Sequence, residues 1–399
     1  MNILFLTDLF LPHAGGARVY YHNIYKHLVA GSDDSVTILT TRIPGWQEFD
    51  NGQSSASLRI VRKGHPMPNW KYYQLPRVIH PLAQGVLKAR SSKADLIHFG
   101  DLCPPGVVSV CLKRLLGLPY LAYCHGDENA QIDGRRFQPI VRDHIYGGAA
   151  AVVAANEFAR QGLLRIGIPD ERIHKITPGV DLERFRPMSP DPELFARLSL
   201  AGKTVLLTAA RLVPKKGHAT ALHAVARVHA ETGNIRYLIA GDGPERNRLE
   251  TLTRELGLSE VVTFLGDVPN AQLPAYYNLC DIFVMANRQA SDGDIETFGM
   301  VFIEANAAGK PVVAGRSGGA AEAVVEGATG FLVVPEDAEE LSARLKMLVL
   351  DKVLRERIGA AGLQRARTDF QWKTRAERLK HISAEILASG IKSATSTGR

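Results

Sequence analysis

Short runs of aliphatic and β-branched residues recur along the chain, separated by longer stretches with apolar residues at helical spacing. This alternation is the pattern of parallel sheets covered by helices. In the first half the expected strands are ILFLTD, SVTILTT, SLRIVRK, DLIHFG, YLAYCHG and AAVVAAN; in the second they are TVLLTAA, RYLIAGD, VTFLGD, DIFVMAN, PVVAGR and GFLVV. Each set predicts a six-strand α/β domain. The segment from Pro178 to Leu200, with Pro187, Pro190 and Pro192 among several charges, reads as the joint between them. Near the end, Phe370 and Trp372 precede TRAERLKHISAEILA, where Leu379, Ile382 and Ile386 share a helical face that needs something apolar to cover.

Composition narrows the class. With 399 residues, 45% apolar and 22% charged, the chain is an ordinary globular protein of two or three domains. No apolar run approaches the roughly 18 to 20 residues of a membrane-spanning helix. MNILFLTD lacks a basic leader and reads as a buried strand, so a cytoplasmic location is expected. Cys103, Cys111, Cys124 and Cys280 are widely spaced and form no CxxC pair, which argues against a zinc site or a disulfide framework.

The net charge of +7 is uneven, with 22 Lys and Arg against 16 Asp and Glu up to residue 190, and 26 against 25 beyond it. Such an excess suits either an anionic partner or a plain solvated surface. Nucleic acid is disfavoured, because no helix-turn-helix, RNP or zinc-finger signature accompanies it. MPNWKYYQLPRVIHPLAQGVLKAR interleaves Trp70, Tyr72 and Tyr73 with Lys71, Arg77 and Lys88. The mixture suits peripheral contact with an anionic membrane at its cytoplasmic face, and equally a surface loop followed by a helix.

Candidate chemistry lies at strand ends. After the first strand, Gly15 and Gly16 would let backbone N–H groups approach a ligand, though a structural turn has the same pattern. A GxGxxG fingerprint is absent and no acidic residue ends the second strand, which disfavours a nicotinamide-dependent dehydrogenase. In TVLLTAARLVPKKGHATALHAVARVHA, Arg211, Lys215 and Lys216 crowd the positive end of a helix expected from about His218, an arrangement that asks for a phosphate unless they point into water. In DGDIETFGMVFIEANAAGKP, Gly299 opens a helix on whose apolar stripe Glu304 would be costly to bury without partners, such as ribose hydroxyls. Glu296 sits before that helix, beside the N–H groups of Gly299, Met300 and Val301. Taken singly, each glutamate also has a structural reading.

The two glutamates enclose seven residues. With RLVPKKG, AGDGPE and FLGDV upstream and SGGAAEAV and GATGFLV downstream, the chain resembles the retaining glycosyltransferases of family 4 over nearly its whole length, most strongly from about 200 to 370. The resemblance implies an α/β GT-B architecture: two Rossmann-like parallel-sheet domains facing across a cleft. The acceptor-side domain would span 1–185, with a crossover helix of about 373–390 returning to it, and the donor domain 200–370. It also implies that Arg211 and Lys216 grip the donor diphosphate, Glu304 holds the ribose and Glu296 the hydroxyls of the transferred sugar. Gly15 and Gly16 would close over the diphosphate, and Phe298, Gly299, Met300 and Val301 would line the donor. The base would lie near Leu265, Gly266 and Val268, and His125, in the family's HG position, would lie close to the transferred sugar. Thr297 and Ala321 depart from the family pattern at positions that bear on the sugar pocket.

The expected activity is transfer of a hexose, with retention, from a nucleotide-diphosphate sugar to a cell-envelope lipid or glycan. Likeness to lipid mannosyltransferases favours GDP-mannose, and a UDP-hexose for exopolysaccharide synthesis is the alternative. No cofactor and no metal are expected: DGD at 292–294 has the spelling of a DxD metal motif but reads as a flexible acidic loop. A GT-B phosphorylase would need a pyridoxal phosphate lysine that the sequence does not offer.

Overall fold

Near-continuous apolar runs form strands buried on both faces, because helices cover a parallel sheet above and below. The computed structural model describes residues 1–13, 15–64, 78–126, 138–291 and 293–396, which divide into two units: 1–178 with 372–399, and 179–371.

The first unit is a wholly parallel sheet of β1 (Asn2–Leu6), β2 (Ser35–Thr40), β3 (Leu58–Arg62), β4 (Leu96–Phe99), β5 (Tyr120–Cys124), β6 (Ala151–Ala154) and β7 (Ile173–Lys175), in the order β3-β2-β1-β4-β5-β6-β7. Seven strands replace the six expected. The seventh, IHK, is three residues long with one apolar side chain, too short to show a period. Helices α1 (Gly16–Val29), α2 (Trp46–Gln53), α3 (Ile79–Ser91), α4 (Val107–Leu116) and α5 (Glu157–Arg165) connect the strands. Alternation along β1 feeds two cores: Leu4 and Leu6 pack with Val108 and Leu112 of α4 and Leu163 of α5, while Ile3 and Phe5 pack with Tyr20, Tyr21, Ile24 and Tyr25 of α1.

The second core is completed by the terminal helix, Trp372–Ser396, whose Trp372, Ala376, Leu379, Ile382 and Ile386 are buried there. Its expected apolar face thus lies against α1. Each such Leu or Ile contributes about 1.5–3 kcal/mol through burial. Arg375 donates to the carbonyls of Thr177 and Pro178, and Lys380 pairs with Asp34 at 2.6 Å.

The second unit is a six-stranded parallel sheet, β10-β9-β8-β11-β12-β13, from β8 (Thr204–Ala209), β9 (Ile235–Ala240), β10 (Val262–Gly266), β11 (Ile282–Met285), β12 (Val312–Gly315) and β13 (Gly330–Val333). Its helices of six or more residues are α6 (Pro192–Arg197), α7 (His218–Thr232), α8 (Arg246–Glu255), α9 (Leu273–Leu279), α10 (Met300–Ala307), α11 (Ala338–Leu350) and α12 (Lys352–Asp369). Residues 179–200, read from sequence as a joint, are packed: Val180, Phe185, Leu194 and Leu200 are buried in this unit's core. Among the described residues no helix is long and apolar enough to cross a membrane.

Candidate active site

In a doubly wound sheet the strand order reverses at one place, and the loops leaving the carboxyl ends of the two strands diverge there into a crevice. In the second unit those strands are β8 and β11. The loop after β8 carries Arg211, Lys215 and Lys216, and the one after β11 carries Glu296 and leads into α10.

The structure brings the two loops together through charge. Lys216 Nζ donates to Glu296 Oε2, with the side chains only 15% and 12% exposed, and Lys215 pairs with Asp294 at 2.8 Å. Burial pushes the Glu296 carboxyl up, but Lys216, Lys215 and the Gly299 N–H together outweigh it and hold the group below the usual carboxylate range. Asp294, expected in a flexible loop, is tied to Lys215; Asp292 lies outside the described residues. Among those residues, no group of three or more His, Cys, Asp or Glu side chains could hold a metal ion. Arg211 is exposed at the start of its loop, and its carbonyl is 3.0 Å from Nε2 of buried His218. Burial pushes the His218 ring down to about 4, so it is neutral near pH 7 and donates from Nε2.

Gly299 turns the chain into α10 at φ 80°, where a Cβ would meet the Phe302 ring at 2.4 Å. The N–H groups of the first helical turn have no intrahelical partners and form a positive end suited to an anion. Met300 and Val301 are partly exposed there. The Phe298 side chain instead lies in the core, edge-on to Phe370 at 6.1 Å. Downstream, the glycines of SGGAAE support the glutamate loop: the Gly319 N–H donates to the Glu296 carbonyl at 3.1 Å, and a Cβ at Gly318 would lie 1.9 Å from that oxygen.

Glu304 has a partner the sequence did not reveal. Tyr277 of α9 donates to its Oε2 at 2.9 Å. Burial still holds the Glu304 carboxyl above its ordinary value, against the lowering effects of Tyr277 and Arg184. Gly266 ends β10 with φ 73° and accepts the Gly241 N–H at 2.7 Å; Leu265 and Val268 flank it, partly exposed, at the edge strand two places from β8.

In the first unit the order reverses between β1 and β4, and charged and neutral groups mix there. Thr7 donates to Asp101 at 2.6 Å. Gly15 caps α1 at φ 153°, and a Cβ on it would lie 2.0 Å from Arg18 Nη1, so this turn brings a guanidinium against the glycines. His125, buried just after β5, has Nε2 2.8 Å from the Tyr21 hydroxyl, and its carbonyl accepts from Asn156 Nδ2 at 2.9 Å. Beside β1, Pro12, His13, Ile43, Pro44, Gly45, Glu48 and Phe49 line a cavity of about 660 Å³. Trp70, Lys71, Tyr72, Tyr73 and Arg77, read as a membrane-facing mixture, lie outside the described residues.

Sequence reasoning missed Tyr21, Tyr277, His218, Asn156 and Arg18. Of these only Asn156 carries a local signal: it stands where an N-cap belongs, and its side chain accepts from the Ala159 N–H at 2.7 Å. The others act across the fold, which spacing along the chain does not show.

Two Rossmann-like doubly wound parallel sheets are the architecture of the GT-B class of glycosyltransferase. The profile described as "Glycosyl transferases group 1" matches residues 191–365, and "Glycosyltransferase Family 4" matches 14–184. The chain is 30% identical to the GDP-mannose-dependent alpha-(1-6)-phosphatidylinositol monomannoside mannosyltransferase of Mycolicibacterium smegmatis, covering 95% of this chain and 97% of the relative. It is likewise 30% identical to D-inositol 3-phosphate glycosyltransferase 1 of Catenulispora acidiphila, over 94% and 92%. In fold it is similar to Anabaena HepE in complex with UDP, with TM-score 0.80, 23% identity and coverage of 98% and 100%. The chain belongs to glycosyltransferase family 4.

Proposed function

We propose that this protein transfers a hexose, with its anomeric configuration retained and without a bound metal, from a nucleoside-diphosphate sugar to a lipid or glycan of the cell envelope. GDP-mannose is the favoured donor, supported by the names of the M. smegmatis relative and of a Corynebacterium glutamicum protein 27% identical to this chain. The observation that carries the reading is the meeting of Lys216 and Glu296 beside the start of α10, at the strand reversal of the second sheet.

Transfer breaks the bond from the anomeric carbon to the diphosphate oxygen while the acceptor hydroxyl oxygen forms a new one. Negative charge gathers on the leaving group. Preorganised cations and N–H groups stabilise it by several kcal/mol, and Lys216, Arg211 and the α10 end supply them. A diphosphate arriving at Lys216 competes with Glu296 for the ammonium, and sugar hydroxyls then take its place on the carboxylate. Glu304, held by Tyr277, accepts from the ribose hydroxyls. No side chain is assigned as nucleophile: the acceptor attacks the face that the diphosphate leaves, and its proton passes to a donor phosphate oxygen. The roles of His125, Gly15, Gly16, Gly266 and Val268 rest on the family resemblance.

A thermal-shift panel of nucleotide sugars tests the donor, because a ligand that binds only the folded form raises its stability. GDP-mannose should give the largest shift; a larger one from a UDP-hexose moves the activity to the alternative donor. Transfer that is lost in EDTA and restored by manganese would contradict metal independence. Peripheral membrane contact is proposed from α3, where Ile79 and Leu87 are 68% and 63% exposed near Lys88 and Arg90. Failure to sediment with anionic liposomes at low salt removes it.

A further inference from the structure

We propose that Tyr21 is a positioning residue for glycosyl transfer: it fixes the proton of His125 on Nε2 and with it the ring's orientation. The catalytic part of this inference rests on the reading of His125 given above; the proton assignment does not.

The Tyr21 hydroxyl has one proton, and it meets both the Gly100 carbonyl at 2.7 Å and His125 Nε2 at 2.8 Å. The carbonyl can only accept. Were the phenol proton turned toward Nε2, two oxygen atoms would face each other at 2.7 Å in a buried place with no hydrogen between them, which is costly. The proton therefore goes to Gly100, the phenol oxygen accepts, and Nε2 must carry a hydrogen to donate. Whenever the ring is neutral, the lone pair is then on Nδ1.

The surroundings are built for this. A Cβ on Gly100 would lie 2.6 Å from Tyr21 Cζ, so a glycine makes room for the phenol. The Tyr20 and Tyr21 rings meet the His125 ring edge-on at 5.3 and 5.1 Å, and Tyr123 lies parallel to it at 6.4 Å. One turn along α1, Tyr25 makes a similar contact with a different histidine: its hydroxyl is 2.9 Å from His98 Nδ1. Tyr25 thus provides a matched control, a buried phenol on the same helix that does not touch His125.

The test uses the full-length protein with 15N-labelled histidine rings, the His125 signals being assigned by their loss in His125→Gln. Wild type should show hydrogen on Nε2. Tyr21→Phe should show a mixture of the two neutral forms, with turnover reduced about tenfold and donor KM unchanged, whereas Tyr25→Phe should leave both the His125 signals and turnover as they were. Gly100→Ala, which displaces the phenol without removing its hydroxyl, should reproduce the loss and serves if Tyr21→Phe does not fold. A wild-type ring protonated on Nδ1 alone overturns the proposal, as does an altered ring in Tyr21→Phe with turnover intact. If the thermal-shift panel finds no donor, the proposed function fails while the ring spectrum still decides the proton.

Discussion

The two units share a topology and differ in how they are charged. Each is a doubly wound parallel sheet with functional candidates at the carboxyl ends of strands near the reversal of order. In the second unit these candidates neutralise one another as ions, Lys216 with Glu296 and Lys215 with Asp294. In the first, His125 is held by neutral donors and acceptors, Tyr21 and Asn156. On the function proposed above, the same scaffold would serve two tasks: the ion-paired turn would grip and release a diphosphate, while Tyr21 and Asn156 hold the ring and backbone of His125 through hydrogen bonds.

The contrast has a sharp consequence at Lys216. Lys216→Ala should lower both nucleoside diphosphate affinity and kcat/KM, the latter by about 10³-fold, because it removes a charge that acts in the ground state and the transition state alike. Steady-state kinetics with calorimetry checks this, and unchanged affinity would break the comparison. Next in size, His125→Ala and Glu296→Ala should each lower turnover about 10²-fold while nucleoside diphosphate affinity stays within about threefold. A large loss of affinity in His125→Ala would place it among the gripping residues.

Acid separates the units in another way. Burial holds His22 and His98 of the first unit at about 4 and about 3, and His218 of the second at about 4. These rings stay neutral in the folded protein while the unfolded chain takes up protons near pH 6.5, so stability falls as pH drops below that value. Each costs about 1.4 kcal/mol per pH unit until its folded pKa is reached. Half-buried His174, also lowered, adds to the first unit. Hydrogen exchange between pH 7 and 5 should therefore show β4 losing protection at least twice as steeply as β8.

The smallest effect concerns Glu304. Its raised folded pKa means that its contribution is full below the unfolded pKa and is lost as pH rises through the folded one, so at pH 7 its charge destabilises the ligand-free protein. Glu304→Gln should raise the melting temperature at pH 7 by about 2 °C and weaken the shift produced by a nucleotide. A lower melting temperature without ligand would show the carboxylate to be a structural support.

The ends of the strands and the glutamate spacing were legible in the sequence because both are local: buried parallel strands are continuous apolar runs, and one helix with its preceding loop carries both glutamates. Helix α7 begins at His218 as read, and the terminal helix begins at Trp372, one residue before the expected boundary. Tyr21 and Tyr277 were not legible. They stand in VYYHNIY and AYYNL, where an aromatic at helical spacing reads as core, and most of each ring is core; only the hydroxyl reaches a site residue on another element. Strand β7 and the packed residues 179–200 escaped for the opposite reason, since short polar-rich segments gain their order from tertiary contact.

Because Trp372–Ser396 completes the apolar side of the first sheet, residues 1–178 cannot finish their core until that helix has left the ribosome, whereas residues 179–371 are complete some 25 residues sooner. The second unit is thus expected to mature ahead of the first, leaving α1 and its tyrosines exposed to chaperones for longer during synthesis.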